Sequence, residues 1–341
     1  PAYHALSVGM LARTIELLGD EAPSAARGLL VRAADASLAA AAPDGEIAYH
    51  GRSQSQAWAL TLTAYGAERT GGSDNRGLAR RAVERLIDDY PTGPEGLFVT
   101  PSLAQDVTQA IQGIDEYATA VSYGGLTLAT LEWAIAAAGD GAAGQTSSVA
   151  HVLGTGEGSW ATSRRGGVWF AVKRSRTSTR DLRYDFGLMA LKRRGGGAWR
   201  DVMPLRPRTT GSFDAVLRLG GAVADGTRLR LGKGGRILVD GGFRSRAGRW
   251  VRRGVTFTFT PVSCGVRLTW PARAGDRFTY SGFFRGEPRR AGRSVRDSSQ
   301  ILRFGSARVV AIDAPYASGA DAGLTRARVA FRGGAIEICA R

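Results

Sequence analysis

Residues 139–148 read Gly-Asp-Gly-Ala-Ala-Gly-Gln-Thr-Ser-Ser, and the character of the chain changes on either side of them. They are small, polar and rich in glycine, which is typical of a linker. Before them, apolar side chains recur at helical spacing; beyond them, apolar and polar residues alternate with a period of two. The sequence therefore predicts an α+β multidomain protein, with a helical domain at residues 1–141 and a strand-rich domain at residues 148–341.

The first half is predicted to hold regular amphipathic helices. Within residues 3–18, for example, Leu11, Ile15 and Leu18 fall on one helical face. Ser24 and Ser53 are the expected N-caps of the second and third helices. The helices are expected at residues 3–18, 24–42, 53–71, 75–90 and 126–138. Such helices joined by short loops favour antiparallel hairpins of a helical array or toroid.

The second half is predicted to consist of many short strands separated by glycine turns. This pattern favours an antiparallel β-sandwich. Arginine alternates with apolar residues at 228–231 and 326–329, which places the cations on the outer face of a sheet. The strands are expected at residues 168–173, 185–192, 213–219, 228–231, 236–239, 255–260, 265–270, 278–284, 301–304, 308–312, 326–331 and 335–339.

The two halves differ strongly in charge. Residues 1–141 carry 9 basic and 17 acidic side chains, whereas residues 142–341 carry 37 and 13, and the whole chain has a net charge of +16. A basic surface can serve solubility alone, but an excess confined to one half favours an acidic partner. We expect a cleft with at least one cationic wall, which suits an acidic polysaccharide. Nucleic acid is not expected, because the arginines alternate along strands of a broad sheet face.

Several kinds of site find no support in the sequence. No apolar stretch has the ~20 residues of a membrane span. The three histidines and two cysteines form no metal-ligand pattern, and no phosphate-binding glycine loop occurs in the right context, so no metal and no cofactor are expected. Cys264 and Cys339 form either one disulfide or two buried thiols. The oligomeric state stays open.

The compartment is inferred from the start of the chain and from its cysteines. The chain begins at Pro1 rather than at a methionine, so we expect that a leader has been removed or that a longer protein precedes it. Possession of a cysteine pair favours an oxidising compartment. We therefore expect a secreted or cell-surface location.

The densest polar constellation of the helical half lies at residues 46–56. Its candidates are Tyr49, His50, Arg52, Gln54 and Gln56. The last three are expected to project from the first turn of a helix, whose free N–H groups favour a carboxylate. An arginine can grip a uronate carboxylate in bidentate fashion. The alternative interpretation is helix capping with a structural arginine.

The opening residues Pro1-Ala2-Tyr3-His4 resemble the Ser-Pro-x-Tyr-His segment of the heparinase II/III-like polysaccharide lyases. The turn at residues 44–45 and the segment at residues 121–126 also look like features of toroidal lyases. The resemblance implies an incomplete (α/α) toroid followed by a large antiparallel β-sandwich, in the order inferred above. It covers the architecture of the whole chain, but its specific motif is only four residues long.

Membership of that family would imply β-elimination of a uronic-acid-containing glycan. The resemblance makes Tyr3 the catalytic tyrosine and His4 its neighbour. Arg52 is our candidate for neutralising the uronate carboxylate, and Tyr49 with His50 is an alternative acid/base pair. Gln54 and Gln56 would contact substrate. The candidate sugar-stacking aromatics are Trp58, Tyr117 and Tyr123.

The sequence departs from the family pattern in the early β-sandwich. The family places a histidine there, but residues 179–186 contain none. Arg180 or Arg183 could supply a cation at that place, although neither readily acts as a base.

Two other functions compete with the lyase. A toroidal glycoside hydrolase needs two carboxylates across the scissile bond, and Asp44, Glu46, Asp115 and Glu116 are available. A non-catalytic protein that binds an anionic glycan would need only the aromatic and cationic surfaces.

Overall fold

The computed structural model describes most of the chain. The described residues are 2–51, 53–54, 56–89, 92–93, 96–97, 120–139, 144, 150–178, 181–207, 215–313 and 324–341. The chain divides into two compact units. The helical unit is Pro1–Ser147, and the β unit is essentially Ser148–Ala317 with Asp321–Arg341.

Five α-helices are described in the helical unit. They are α1 (Ala2–Leu18), α2 (Ser24–Ala40), α3 (Ala57–Glu68), α4 (Ser73–Asp89) and α5 (Gly125–Ala137). A two-stranded hairpin, β1 (Thr92–Gly93) with β2 (Gly96–Leu97), and a π-helical turn at Ala120–Gly124 lie between α4 and α5. Within the described residues, no helix is both long and apolar enough to cross a membrane.

Helix α3 is the centre of this unit. Every residue from Ala57 to Ala67 is buried, and the helix packs against α1, α4 and α5. Its crossing with α1 is very close, because a Cβ atom on Gly9 would lie 2.3 Å from a methyl carbon of Leu62. One on Gly66 would likewise lie 2.5 Å from a methyl carbon of Val8. Two glycines on opposite helices thus let the α1 and α3 backbones approach.

The β unit contains a five-stranded and a ten-stranded antiparallel sheet. The smaller sheet has the order β3 (His151–Leu153), β4 (Trp160–Arg165), β5 (Val168–Lys173), β6 (Gly187–Gly195) and β7 (Ala198–Asp201). The larger sheet is built from β8 (Leu217–Leu219), β9 (Ala222–Gly232), β10 (Arg236–Arg244), β11 (Trp250–Val262), β12 (Gly265–Thr269), β13 (Phe278–Arg285), β14 (Arg289–Ala291), β15 (Ser294–Arg296), β16 (Gln300–Ile312) and β17 (Leu324–Ala340).

Seven strands of the larger sheet close into a barrel. The ten strands of this sheet are ordered β12-β11-β10-β9-β8-β13-β17-β16-β15-β14. A further pairing between β12 and β17 closes the first seven of them into a ring. Strand β17 bonds β16 along most of its length, so β13 and β12 occupy successive parts of its other edge. The last strand therefore joins both ends of the ring.

Aromatic side chains fill the core of the β unit. Phe243, Phe257 and Phe278 are fully buried, and their rings lie 5.6–5.8 Å apart in successive pairs. Trp270 packs edge-on against Phe278 with ring centroids 5.1 Å apart. This continuous cluster gives the unit a core of its own.

The α+β class predicted from the sequence is confirmed. The incomplete toroid and the sandwich stay predictions, and the sequence analysis did not anticipate the closed ring of seven strands. The outward arrangement of arginines is confirmed on β17, where Ala327 and Val329 are fully buried while Arg328 is exposed.

Three local predictions were wrong. Ser24 does not cap the second helix, because it is the first residue of α2 and Pro23 occupies the N-cap position. Ser53 does not cap the third helix: its φ is +61°, outside the helical region, and α3 begins only at Ala57. Residues 301–304 and 308–312 form one strand rather than two, because a β-bulge between Phe304 and Ser306 lets the pairing continue past Gly305. Strand β17 similarly continues through residues 333–334.

Candidate functional site

Three aromatic rings from distant parts of the helical unit form a cluster, which we call the aromatic platform. The rings of Tyr3 and Trp58 have centroids 6.4 Å apart. Those of Trp58 and Tyr123 lie 6.3 Å apart with an interplanar angle of 21°, a stacked arrangement. Tyr3 is 45% exposed and Tyr123 is half-buried, whereas Trp58 is only 2% exposed. The platform therefore offers aromatic surface to solvent above a buried indole.

Local structure explains why these rings meet. Ala2 and Ala5 are buried one turn apart on α1, so Tyr3 points away from the core. Trp58 is the second residue of α3. Tyr123 lies in the π-helical turn before α5, and its carbonyl accepts a hydrogen bond of 2.8 Å from the Thr127 hydroxyl. Such turns are frequent at functional sites.

Two buried polar atoms of this region make no hydrogen bond within the part of the chain that the structure describes. They are the indole Nε1 of Trp58 and the amide Oε1 of Gln56. Gln56 occupies the N-cap position of α3, but its side chain makes no capping hydrogen bond. Gln54 lies before the helix and not in its first turn, which corrects the prediction for that residue. Buried polar groups are usually hydrogen-bonded in native proteins, so this donor and this acceptor call for a partner such as water or a polar ligand.

Two predicted catalytic residues are engaged with the backbone of α2. The Nε2 atom of His4 lies 3.0 Å from the carbonyl oxygen of Ala33 and must carry the proton, since a carbonyl only accepts. The hydroxyl of the buried Tyr49 donates to the carbonyl of Ala40 at 2.7 Å. Both contacts fix the position of α2. The ring of His50 lies next to that of Tyr49, with centroids 5.5 Å apart, and its side chain is buried.

The remaining predicted site residues divide into two groups. Arg52, Tyr117 and Arg180 lie outside the described residues. Arg183, in the β unit, is held by Asp181: its Nε donates to Oδ1 at 3.0 Å and its Nη2 donates to Oδ2 at 2.7 Å. The predicted role of Arg183 toward substrate stays a prediction.

The carboxylates of the hydrolase alternative are only partly described. Asp115 and Glu116 lie outside the described residues. Asp44 forms an ion pair of 3.0 Å with Arg85, and both side chains are largely buried. Glu46 is 3% exposed.

Acidification should destabilise the helical unit through His4. Burial lowers the pKa of His4 from its ordinary value of 6.5, so the unfolded chain takes up a proton first as pH falls. This stabilisation is complete above pH 6.5 and is lost below it. We expect the free energy of unfolding to fall between pH 7 and pH 5.5, and His4→Gln to flatten that dependence in urea titrations. His151→Gln is the matched control; an unchanged slope in His4→Gln would contradict the assignment.

A polar pocket in the β unit was not predicted from the sequence. This pocket has a volume of about 200 Å³. Its polar lining comprises Arg176, Thr177, Ser178, Asp225, Arg244, Ser245 and Arg246. An available signal was the pair of Arg-x-Arg sequences at 174–176 and 244–246, each directly after a run of strand residues.

Comparisons with known proteins give no family. No protein-family model and no curated protein matches the chain. Among solved structures, a chondroitin AC lyase from Streptomyces coelicolor A3, solved in complex with chondroitin sulphate, is similar with 12% identity and a TM-score of 0.49. A 4-alpha-glucanotransferase from Thermococcus litoralis is similar with 8% identity and a TM-score of 0.38.

These matches cover 99% and 98% of the chain, but only 51% and 56% of the two structures. The chain thus spans about half the length of the solved proteins that it matches. At such scores, neither likeness assigns a fold, an activity or a substrate to this chain.

Proposed function

We propose that this protein is a carbohydrate-active enzyme, specifically a polysaccharide lyase that cleaves a uronic-acid-containing glycan by β-elimination. The observation that carries the proposal is the aromatic platform of Tyr3, Trp58 and Tyr123. Trp58 Nε1 and Gln56 Oε1, at the start of the same helix α3, make no hydrogen bond within the described part of the chain. Aromatic faces stack on the apolar faces of sugar rings, while neighbouring polar atoms bond the hydroxyl groups.

The proposed reaction removes the proton on C5 of the uronate and breaks the bond from C4 to the leaving oxygen. The electron pair of the C5–H bond forms the C4=C5 double bond, and the leaving oxygen takes up a proton. The proposed role of Tyr3 is to exchange these protons, and its exposed ring, whose hydroxyl has no partner among the described residues, supports that role. Arg52 remains the predicted group that neutralises the carboxylate.

We also propose that the protein has an incomplete toroid followed by a β-sandwich and that it is secreted or located at the cell surface. The net charge of +24 on residues 142–341 supports an acidic polymer as substrate. The disulfide between Cys264 and Cys339 supports an oxidising compartment.

Substitution of Tyr3 tests the proposal. We expect Tyr3→Phe to lower kcat by about 100-fold or more with little change in KM, because it removes only the proton-transferring hydroxyl. Tyr3→Ala should also weaken glycan binding by about tenfold, because the stacking surface is lost. Activity is followed by the ultraviolet absorbance of the unsaturated product on hyaluronan, heparin, alginate and glucuronan.

Leu17→Ala is the matched control, because Leu17 is an exposed apolar residue of the same helix. It should leave both binding and turnover unchanged. The lyase proposal fails if none of the four polymers yields unsaturated product, or if Tyr3→Phe turns over like the unsubstituted protein.

A second candidate is a non-catalytic protein that binds an anionic glycan. The observation that favours it is the engagement of His4 and Tyr49 by backbone carbonyls, which leaves neither group poised as an acid or base. In that case the polymer binds, Tyr3→Ala weakens binding, and no product forms.

A further inference from the structure

The polar pocket of the β unit is formed by three segments that the fold brings together. Residues 176–178 follow β5, Asp225 lies on β9, and residues 244–248 form the end of β10 and its turn toward β11. The turn is closed by hydrogen bonds from the Ser245 N–H to the Arg249 carbonyl and from the Gly248 N–H to the Ser245 carbonyl. The lining is therefore fixed by strands and a tight turn.

The carboxylate in the lining is already neutralised. Asp225 Oδ1 accepts from the backbone N–H groups of Arg176 and Gly226, at 3.1 Å and 3.0 Å. Its Oδ2 lies 2.8 Å from Arg244 Nε. Asp225 thus connects two walls of the pocket. Because its charge is compensated in this way, the remaining charge of the pocket lining is positive.

Arg246 supplies that excess, because Arg176 is paired with a second carboxylate, that of Asp185. Arg176 has a side chain only 6% exposed; its Nε donates to the Ser178 carbonyl, and its Nη1 lies 3.7 Å from Asp185 Oδ1. Arg246 is exposed on the turn and has no partner among the residues that the structure describes. Arg244 is held over the ring of Trp250 at 3.9 Å, which limits its freedom. Arg176 and Arg244 are thus held in place, and Arg246 at the rim is the guanidinium group that can pair with an oxyanion.

The size of the pocket limits the ligand. About 200 Å³ exceeds the room needed by a single water and lies below the roughly 300–1,000 Å³ of pockets for drug-sized ligands. One charged group fits, but a chain of sugars does not. The hydroxyls of Thr177, Ser178 and Ser245 can donate to the same oxyanion.

We propose that this pocket binds one compact oxyanion, the carboxylate or sulfate group of an acidic glycan. The assignment to a glycan rests on the proposed function, whereas the binding of the anion does not. The pocket would then select polymers by the spacing of their charged groups, separately from the stacking of sugar rings on the aromatic platform.

The test is calorimetric titration of the whole chain with sodium sulfate and, separately, with sodium glucuronate, at constant ionic strength set by sodium chloride. We expect saturable binding of at least one anion. Arg246→Glu should weaken it by at least about tenfold, and Arg246→Ala by about threefold. Binding of sulfate alone would assign a sulfate ester, and binding of glucuronate alone a carboxylate.

Arg193→Glu is the matched control, because Arg193 is exposed on β6 and does not line the pocket. It should change affinity by less than about twofold. The proposal is overturned if neither anion saturates, or if the reversals at Arg193 and Arg246 weaken binding equally, which would show only general surface charge.

A further arm separates this inference from the proposed function. Tyr3→Ala should leave the affinity for sulfate or glucuronate unchanged, since Tyr3 belongs to the other unit. Anion binding that depends on Arg246 supports the pocket even if no glycan is cleaved. Glycan cleavage without anion binding would overturn the pocket and leave the proposed function intact.

Discussion

Replacing both Cys264 and Cys339 with alanine should lower the free energy of unfolding of the β unit by about 4 kcal/mol. The two residues form a disulfide across a sequence separation of 75. Closing a loop of that length removes conformational entropy from the unfolded chain, and the expected gain rises with loop length. The effect is measured by urea unfolding monitored by tryptophan fluorescence, since Trp270 lies in the core of this unit.

The native contacts at this crosslink should survive its removal. Gly265 pairs with Cys339 in the ladder, and the Ala340 N–H donates to the Cys264 carbonyl at 2.8 Å. Glu337 is held nearby by Arg267 and Arg303. The unsubstituted protein under reducing conditions should match the double variant. Equal stability of the oxidised protein and the double variant would contradict the prediction.

Arg206→Ala should cost about 3–5 kcal/mol in the free energy of unfolding. Arg206 is 3% exposed, and its guanidinium donates to the backbone carbonyls of Asp185, Phe186 and Leu188. Burial lowers the pKa of Arg206, while the charge of Asp185 opposes that shift. Removing the side chain leaves three buried carbonyl oxygens and a buried carboxylate with less compensation.

Arg206→Met separates hydrogen bonding from packing. It keeps an apolar side chain of similar length but restores none of the three bonds, so its unfolding midpoint in urea should also fall. A stable Arg206→Met variant would show that the side chain acts by filling space. Arg230→Ala is the comparison for an exposed ion pair with Asp240 and should change stability little.

The sequence predicted the presence of helices and strands better than the residues at which they begin and end. Helices α1 and α5 and strand β5 lie within a residue of their expected positions, because each is a continuous stretch rich in apolar residues. The start of α3 was misplaced, since the positive φ of Ser53 depends on the fold of the preceding loop. Closure of the barrel could not be read from the sequence, because it depends on two strands sharing one edge of β17.

The residues of the candidate site were likewise predicted better than their contacts. Tyr3 was predicted as the catalytic tyrosine and Trp58 and Tyr123 as sugar-stacking aromatics, and the structure brings the three rings together across about 120 residues of chain. The hydrogen bonds of His4 and Tyr49 could not be predicted, since their acceptors are backbone atoms of α2. A sequence shows which side chains can donate or accept a hydrogen bond. It does not show which backbone groups become their partners, because that depends on how the helices pack.

The crossing of α1 and α3 also sets the geometry of the aromatic platform. Tyr3 lies one turn and a half before Gly9 on α1, and Trp58 lies one turn before Leu62 on α3. The close packing of Leu62 against Gly9 therefore sets the distance between the rings of Tyr3 and Trp58. A methyl group added at Gly9 would push α1 and α3 apart, which would increase the distance between the two rings without contacting either of them.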